Sequence, residues 1–143
     1  MKVVVHVDGG SRGNPGPAAA ASVVSTPAGE ILDEASELLG TVTNNVAEYR
    51  ALLLGLARAH ALGATEVEVV NDSELIAKQV QGLYKVKHVA MRPLHSDAMV
   101  ALRGFGAWKI RSVPRAQNEH ADALVNAALD GSPAGSPAST VPM

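Results

Sequence analysis

The chain opens on Val3-Val4-Val5-His6-Val7, a β-branched run that predicts a fully buried strand. At Asp8 the run gives way to Gly9-Gly10-Ser11-Arg12-Gly13-Asn14-Pro15-Gly16-Pro17, which reads as a turn. Ala18–Ser25 is a second apolar run. Thr26-Pro27-Ala28-Gly29 reads as a hairpin turn, and Glu30–Leu39 returns as a less regular strand. These three strands form an antiparallel meander whose most apolar member, the first, belongs at the centre of the sheet. After Thr43-Asn44-Asn45, apolar residues recur at Val46, Tyr49, Leu53, Leu56 and Ala57, predicting a helix over Val46–Leu62 that Gly63 stops. Glu66–Val70 is a strand ending at Asn71-Asp72, and Ser73–Val80 is a short helix halted near Gly82. Pro93–Leu102 fits a helix, Trp108–Val113 a strand and Asn118–Leu129 a terminal helix. This order predicts an α/β fold: a mixed sheet with helices on both sides, its later strands entering parallel to the first through helical crossovers. No internal repeat is visible.

Composition narrows the picture. The 143 residues suffice for one domain with a real core, and 47% are hydrophobic while only 3% are aromatic, so that core is built from Val, Leu, Ile and Ala. The chain has no cysteine, which excludes a disulfide scaffold, a thiolate zinc site and a cysteine nucleophile. Without a membrane-length apolar run or a signal-peptide pattern, the expectation is a cytoplasmic protein with no membrane partner. Charge is unevenly spread: residues 1–77 carry 4 Lys/Arg against 10 Asp/Glu, and residues 78–143 carry 8 against 4. An acidic half suits cations and a basic half suits polyanions. From Asp130 the composition turns to Gly, Ser, Pro and Ala. The folded domain is therefore expected over 1–129, and a disordered tail or linker stub over 130–143.

Four acids fall at comparable points: Asp8 after strand one, Glu48 early in the long helix, Asp72 after strand four and Asp122 early in the last helix. Each alone has an ordinary explanation. Asp8 starts a turn; Glu48 has the capping-box spacing from Asn45; Asp72 caps the helix beginning at Ser73; Asp122 answers a helix dipole. Together they mean more. Strands one and four are expected side by side, which brings Asp8 and Asp72 to the C-terminal edge of the sheet, where open α/β sheets bind ligands. Clustered carboxylates raise one another's pKa, and divalent cations that favour hard oxygen, Mg²⁺ or Mn²⁺, relieve that penalty. Two such ions activate a water and stabilise a leaving oxygen in phosphodiester hydrolysis.

The segments Asp8-Gly9-Gly10-Ser11-x-Gly13-Asn14-Pro15-Gly16-Pro17, Thr43-Asn44-Asn45-x-x-Glu48, Asp72-Ser73 and Val113-Pro114-Arg115-x-x-Asn118-x-x-Ala121-Asp122 resemble, in matching order, the type 1 ribonuclease H family. The resemblance covers roughly residues 1–129. It implies a five-stranded sheet in the order 3-2-1-4-5 and a two-metal endonuclease. Such an enzyme cuts the RNA strand of an RNA–DNA hybrid and leaves 5′-phosphate and 3′-hydroxyl ends. Carried over position by position, Asp8, Glu48, Asp72 and Asp122 are the catalytic, metal-binding acids. Gly9, Gly10, Asn14, Asn44 and Asn45 become contacts to the hybrid, the amides suited to a 2′-hydroxyl. The ordinary alternatives are that Asn14 serves the turn, Asn45 the helix cap, and Gly9, Gly10 and Gly13 only the turn.

The chain also departs from the commoner pattern. Arg115 stands where many bacterial members carry a loop histidine, as in the archaeal-like branch, and a guanidinium contacts phosphate without shuttling a proton. His120 lies nearby. The lysine-rich protrusion of the well-known bacterial enzymes is replaced by Tyr84-Lys85-Val86-Lys87-His88, whose Tyr84, Lys85 and Lys87 are candidates for stacking and for DNA-strand phosphate contact. Double-stranded RNA is therefore a second candidate partner, and a monomer is expected. Glu74 is an acid beside Asp72 with no evident role. The tail resembles actinobacterial relatives in which such a domain precedes a phosphatase-like one. The alternative reading is a non-catalytic module that binds hybrid or double-stranded RNA; a related nuclease or transposase has a different acid set.

Overall fold

The computed structural model describes residues 1–131. The tail expected over 130–143 lies outside the described residues from 132 onward. The elements run β1 (Lys2–Ser11), β2 (Gly16–Ser25), β3 (Ile31–Val42), α1 (Asn44–Ala61), β4 (Glu66–Asn71), α2 (Glu74–Val80), α3 (Arg92–Arg103), β5 (Ala107–Ser112) and α4 (Glu119–Leu129). The sheet order is β3-β2-β1-β4-β5, with the meander antiparallel and β4 and β5 parallel to β1. The most apolar strand is indeed central.

The expected end of β1 at Asp8 is corrected. The strand continues because Asp8, Gly9, Gly10 and Ser11 pair with Ala21, Ala20, Ala19 and Ala18 of β2. On the other side β4 pairs with β1 only as far as Val70 opposite His6. Asp8 thus stands where β1 has outrun its parallel neighbour, at the open C-terminal edge.

The two faces of the sheet are covered differently. Val3, Val5 and Val7 of β1 and Val67 and Val69 of β4 are buried with Tyr49, Leu52 and Leu56 of α1 and Leu102 of α3. On the opposite face Ala19, Ala21 and Val23 of β2 pack with Ala121, Leu124, Val125 and Ala128 of α4. The buried stripe of α1 differs from the expected one: it comprises Ala47, Tyr49, Ala51, Leu52, Gly55, Leu56 and Ala59, while Leu53 is half-buried and Ala57 exposed. The reason is proximity. A Cβ at Gly55 would sit 2.7 Å from Cγ1 of both Val5 and Val7, so the helix lies on β1 through its smallest residues and its other leucines flank the contact. Among the described residues, no helix is long and apolar enough to cross a membrane.

One polar pair is sunk in this core. The Tyr49 hydroxyl donates to Oε1 of buried Gln79 at 2.6 Å, joining α1 to α2. Tyr49→Phe removes the donor and leaves the Gln79 oxygen without it. The expected loss is about 1–3 kcal/mol in urea unfolding, with an unchanged dependence on denaturant.

Candidate active site

Helix capping decides how the four acids are free to act. Thr43, not Asn45, caps α1: its Oγ1 accepts from the Val46 N–H at 3.3 Å. Glu48 is therefore a full turn inside the helix and takes no part in a capping box. Ser73 caps α2 by accepting from Ile76 N–H at 3.2 Å, so Asp72 is not a cap either. Asp122 does lie in the first turn of α4, but its side chain is held by Arg115. All four acids line one pocket of about 450 Å³ together with Gly9, Gly10, Asn44 and Arg115.

The electrostatics follow from this crowding. Asp8 is buried, and desolvation together with the charges of Asp72, Asp122 and Glu48 pushes its pKa up to about 8. Burial pushes Glu48 up to about 7, the Ser73 hydroxyl pulling the other way and Asp72 adding repulsion. Asp72 is raised by burial, against the opposing pull of Arg115. Nη2 of Arg115 donates to Asp122 Oδ1 at 3.0 Å, and Asn126 Nδ2 lies 3.4 Å from Oδ2 of the same carboxylate. Among the described residues, no three acidic or imidazole side chains stand in ion-ligating geometry as they are. The donor set nevertheless fits a hard cation. Glu48 Oε2 is buried without a hydrogen-bond partner. A void of about 10 Å³, near the size of one water, lies between Asp8, Glu48 and Asp72.

The close approach of α1 sets this geometry. A Cβ on Gly9 would collide with the Ala47 carbonyl and lie 2.7 Å from the Glu48 nitrogen. Gly9 is thus a strand glycine that lets the start of α1 land beside Asp8, not a turn glycine. Gly10 has only an ordinary contact, 3.7 Å, with Val125 Cγ1. Asn14 and Asn44 latch the following loop to α1. Asn14 Oδ1 accepts from the Asn44 N–H at 2.9 Å, and Asn44 Oδ1 accepts from the Ser11 N–H at 2.8 Å. Asn14 holds a positive φ of 33°. Asn45 is half-buried in the first turn of α1.

Other candidates lie apart. Tyr84, Lys85 and Lys87 line a separate depression of about 430 Å³ with Leu75 and Leu83. Lys78 sits 5.1 Å from the Tyr84 ring centroid. His120 pairs with Glu34 of β3, Nε2 to Oε2 at 2.6 Å. Glu74, which had no role in sequence, makes an i,i+4 pair with Lys78 at 3.0 Å. Sequence reasoning missed Arg12 and Asn126, which also line the acidic pocket. The spacing of Asn126, one turn after Asp122 on the same helix face, was the available signal.

Fold and site together define the class: a mixed α/β domain with a carboxylate pocket where the central strand outruns its parallel neighbour. The family model described as reverse transcriptase-like matches residues 6–128. The bifunctional protein Rv2228c of Mycobacterium tuberculosis is 47% identical over 131 residues, 91% of this chain and 36% of its own length. This chain therefore spans little more than a third of that relative. The crystal structure of RNase H1 from the halophilic archaeon Halobacterium salinarum superposes with a TM-score of 0.89 at 43% identity, covering 91% of this chain and 98% of that one. LC11-RNase H1, solved in complex with an RNA/DNA hybrid, gives 0.86 at 39% identity, covering 90% and 96%. The chain belongs to the ribonuclease H family.

The raised acids make stability depend on pH. Asp8 and Glu48 have folded values near 8 and 7, above those of the unfolded chain. The folded chain therefore holds more protons than the unfolded chain from the unfolded carboxylate range, about 4, up to about 8, so the stability this protonation contributes is complete below that window and falls as pH rises across it. Without divalent ions, thermal unfolding is expected at progressively lower temperature over that window. Asp8→Asn raises stability at pH 8 in chelator by at least about 1 kcal/mol, a gain that shrinks at pH 5.

Proposed function

We propose that this chain is a metal-dependent endonuclease that hydrolyses the RNA strand of RNA–DNA hybrids. The observation that carries the reading is the convergence of Asp8, Glu48, Asp72 and Asp122 on one pocket, with Asp8 and Glu48 pushed far above the ordinary carboxylate range. Acids that destabilise one another in this way are matched to cations. Membership of the family and the hybrid bound by LC11-RNase H1 support the substrate class. On this reading Asp8, Glu48, Asp72 and Asp122 hold two ions, Mg²⁺ or Mn²⁺. Bound there, such ions would lower the pKa of a water and neutralise charge on the phosphate, chemistry that would leave 5′-phosphate and 3′-hydroxyl ends.

The chain's own groups perform the remaining tasks. Glu48, with one carboxylate oxygen unpartnered, has a lone pair available toward the void it shares with Asp8 and Asp72. Arg115, mostly exposed at the pocket wall, offers a permanent cation to the phosphate that leaves or remains. Gly9 and Gly10 line the pocket where β1 has outrun β4, and Asn44 lines it too; with Asn14 bonded to the Asn44 N–H and Asn45 in the same helix turn, these amides are suited to a 2′-hydroxyl. Tyr84, Lys85 and Lys87 offer an aromatic face and two cations to the other strand.

Matched RNA–DNA hybrid, double-stranded RNA and double-stranded DNA, each with Mg²⁺, Mn²⁺ or chelator, test this directly. The expected outcome is metal-dependent cutting of the hybrid's RNA strand, with loss of at least about 100-fold in Asp72→Asn while its circular dichroism is unchanged. Cutting of double-stranded RNA widens the substrate class; binding of hybrid without cutting replaces the enzyme by a binding module. The Lys85→Ala/Lys87→Ala protein is expected to flatten the log–log salt dependence of hybrid binding by up to about 2, near one for each phosphate no longer neutralised.

A further inference from the structure

A continuous run of hydrogen bonds crosses the pocket wall from the β1–β2 loop to Asp122. Nη1 of Arg12 donates to Asp130 Oδ1 at 2.6 Å. Its Nη2 lies 3.3 Å from Asn126 Oδ1. The Nδ2 of that amide faces the Asp122 side, 3.2 Å from the Asp122 backbone oxygen and 3.4 Å from Oδ2. Arg115 takes the remaining Oδ1. Asp122, Asn126 and Asp130 lie at successive i,i+4 positions, one stripe along α4 and its C-terminal cap. Arg12 comes from just past the end of β1, more than a hundred residues earlier in the chain.

We propose that Arg12 is a positioning residue which, through the Asn126 amide, sets the rotamer of Asp122 for ion binding. The inference rests on the function proposed above. The physical reason is that an amide has a donor end and an acceptor end. Turned the other way, Asn126 would point its oxygen at the Asp122 carboxylate. Arg12 has only donors, so its contact with Asn126 Oδ1 forces the NH₂ toward Asp122. Asp130 holds the guanidinium in place for that contact. A group that orients a ligand from behind acts on ion affinity even though it never touches the ion. An exposed Arg–Asp pair with no such connection contributes little to anything.

Calorimetric titration of Mn²⁺ into the full chain, at low ionic strength and without nucleic acid, tests the relay apart from turnover. Arg12→Ala and Asn126→Ala are each expected to weaken Mn²⁺ binding by about 10-fold or more. The double variant is expected to be no weaker than Asn126→Ala, because Arg12 works through that amide. Asp130→Asn, which leaves both side chains in place, is expected to weaken binding in the same direction by a smaller factor, and it decides the matter if the alanine variants misfold. Wild-type affinity in Arg12→Ala, or losses that multiply in the double variant, would overturn the relay. Asp8→Asn serves as the reference. If it loses Mn²⁺ binding while Arg12→Ala does not, only the relay fails. If Asp8→Asn binds like wild type, the carboxylate pocket is not the ion site, and both the relay and the proposed function fall.

Discussion

The backbone of β1 and the start of α1 meet at Gly9, where even one methyl group would collide with the Ala47 carbonyl. That contact fixes how far along the strand the helix begins. Gly55, further along α1, repeats the close approach against Val5 and Val7 and keeps the helix flat on the sheet. The latch of Asn14 and Asn44 then ties the loop after β1 to the same helix start. With α1 pinned at both points, Glu48 is carried to Asp8 by rigid elements, as a site that must hold its geometry requires. A looser packing of helix on strand would leave Glu48 and Asp8 apart.

Burying acids together costs stability, and the molecule arranges its cations unevenly around them. Arg115 pulls against the elevation of Asp72 and pairs with Asp122. Asp8 and Glu48 keep raised values, and among the described residues neither forms a salt bridge. The two sides of the pocket are therefore different. The Asp122 side is neutralised by side chains of the protein itself; the Asp8–Glu48 side is left in deficit. On the sheet face, by contrast, the hydrogen bond from Arg111 holds Glu68 below the ordinary carboxylate range, with Lys109 and Lys2 adding to it. Among the described residues, the carboxylic acids with raised values, Asp8, Glu48 and Asp72, all line the one pocket.

Much of this was legible in the sequence. The β-branched run at Val3–Val7 announces the central strand, and the pattern puts Asp8, Glu48, Asp72 and Asp122 close to expected element ends that a sheet edge gathers. Spacing alone, however, left each acid with an innocent role. Only the observed caps, Thr43 for α1 and Ser73 for α2, remove two of them. The stretches Thr43-Asn44-Asn45 and Asn71-Asp72-Ser73 each offer several capping residues, and the backbone angles choose among them.

Local pattern determined the elements and their order, since period and turn chemistry act over a few residues. What lay beyond it are contacts between residues distant in the chain. The extension of β1 past Asp8 depends on its alanine partners in β2. The buried stripe of α1 follows from how close β1 comes, so small residues displaced the leucines that periodicity favoured. Arg12 and Asn126 carry no motif in the sequence, and they become part of the pocket only because β1 and α4 pack around the same edge. Sequence determined which chemistry was available; the packing of α1 and α4 across the sheet decided which groups face one another.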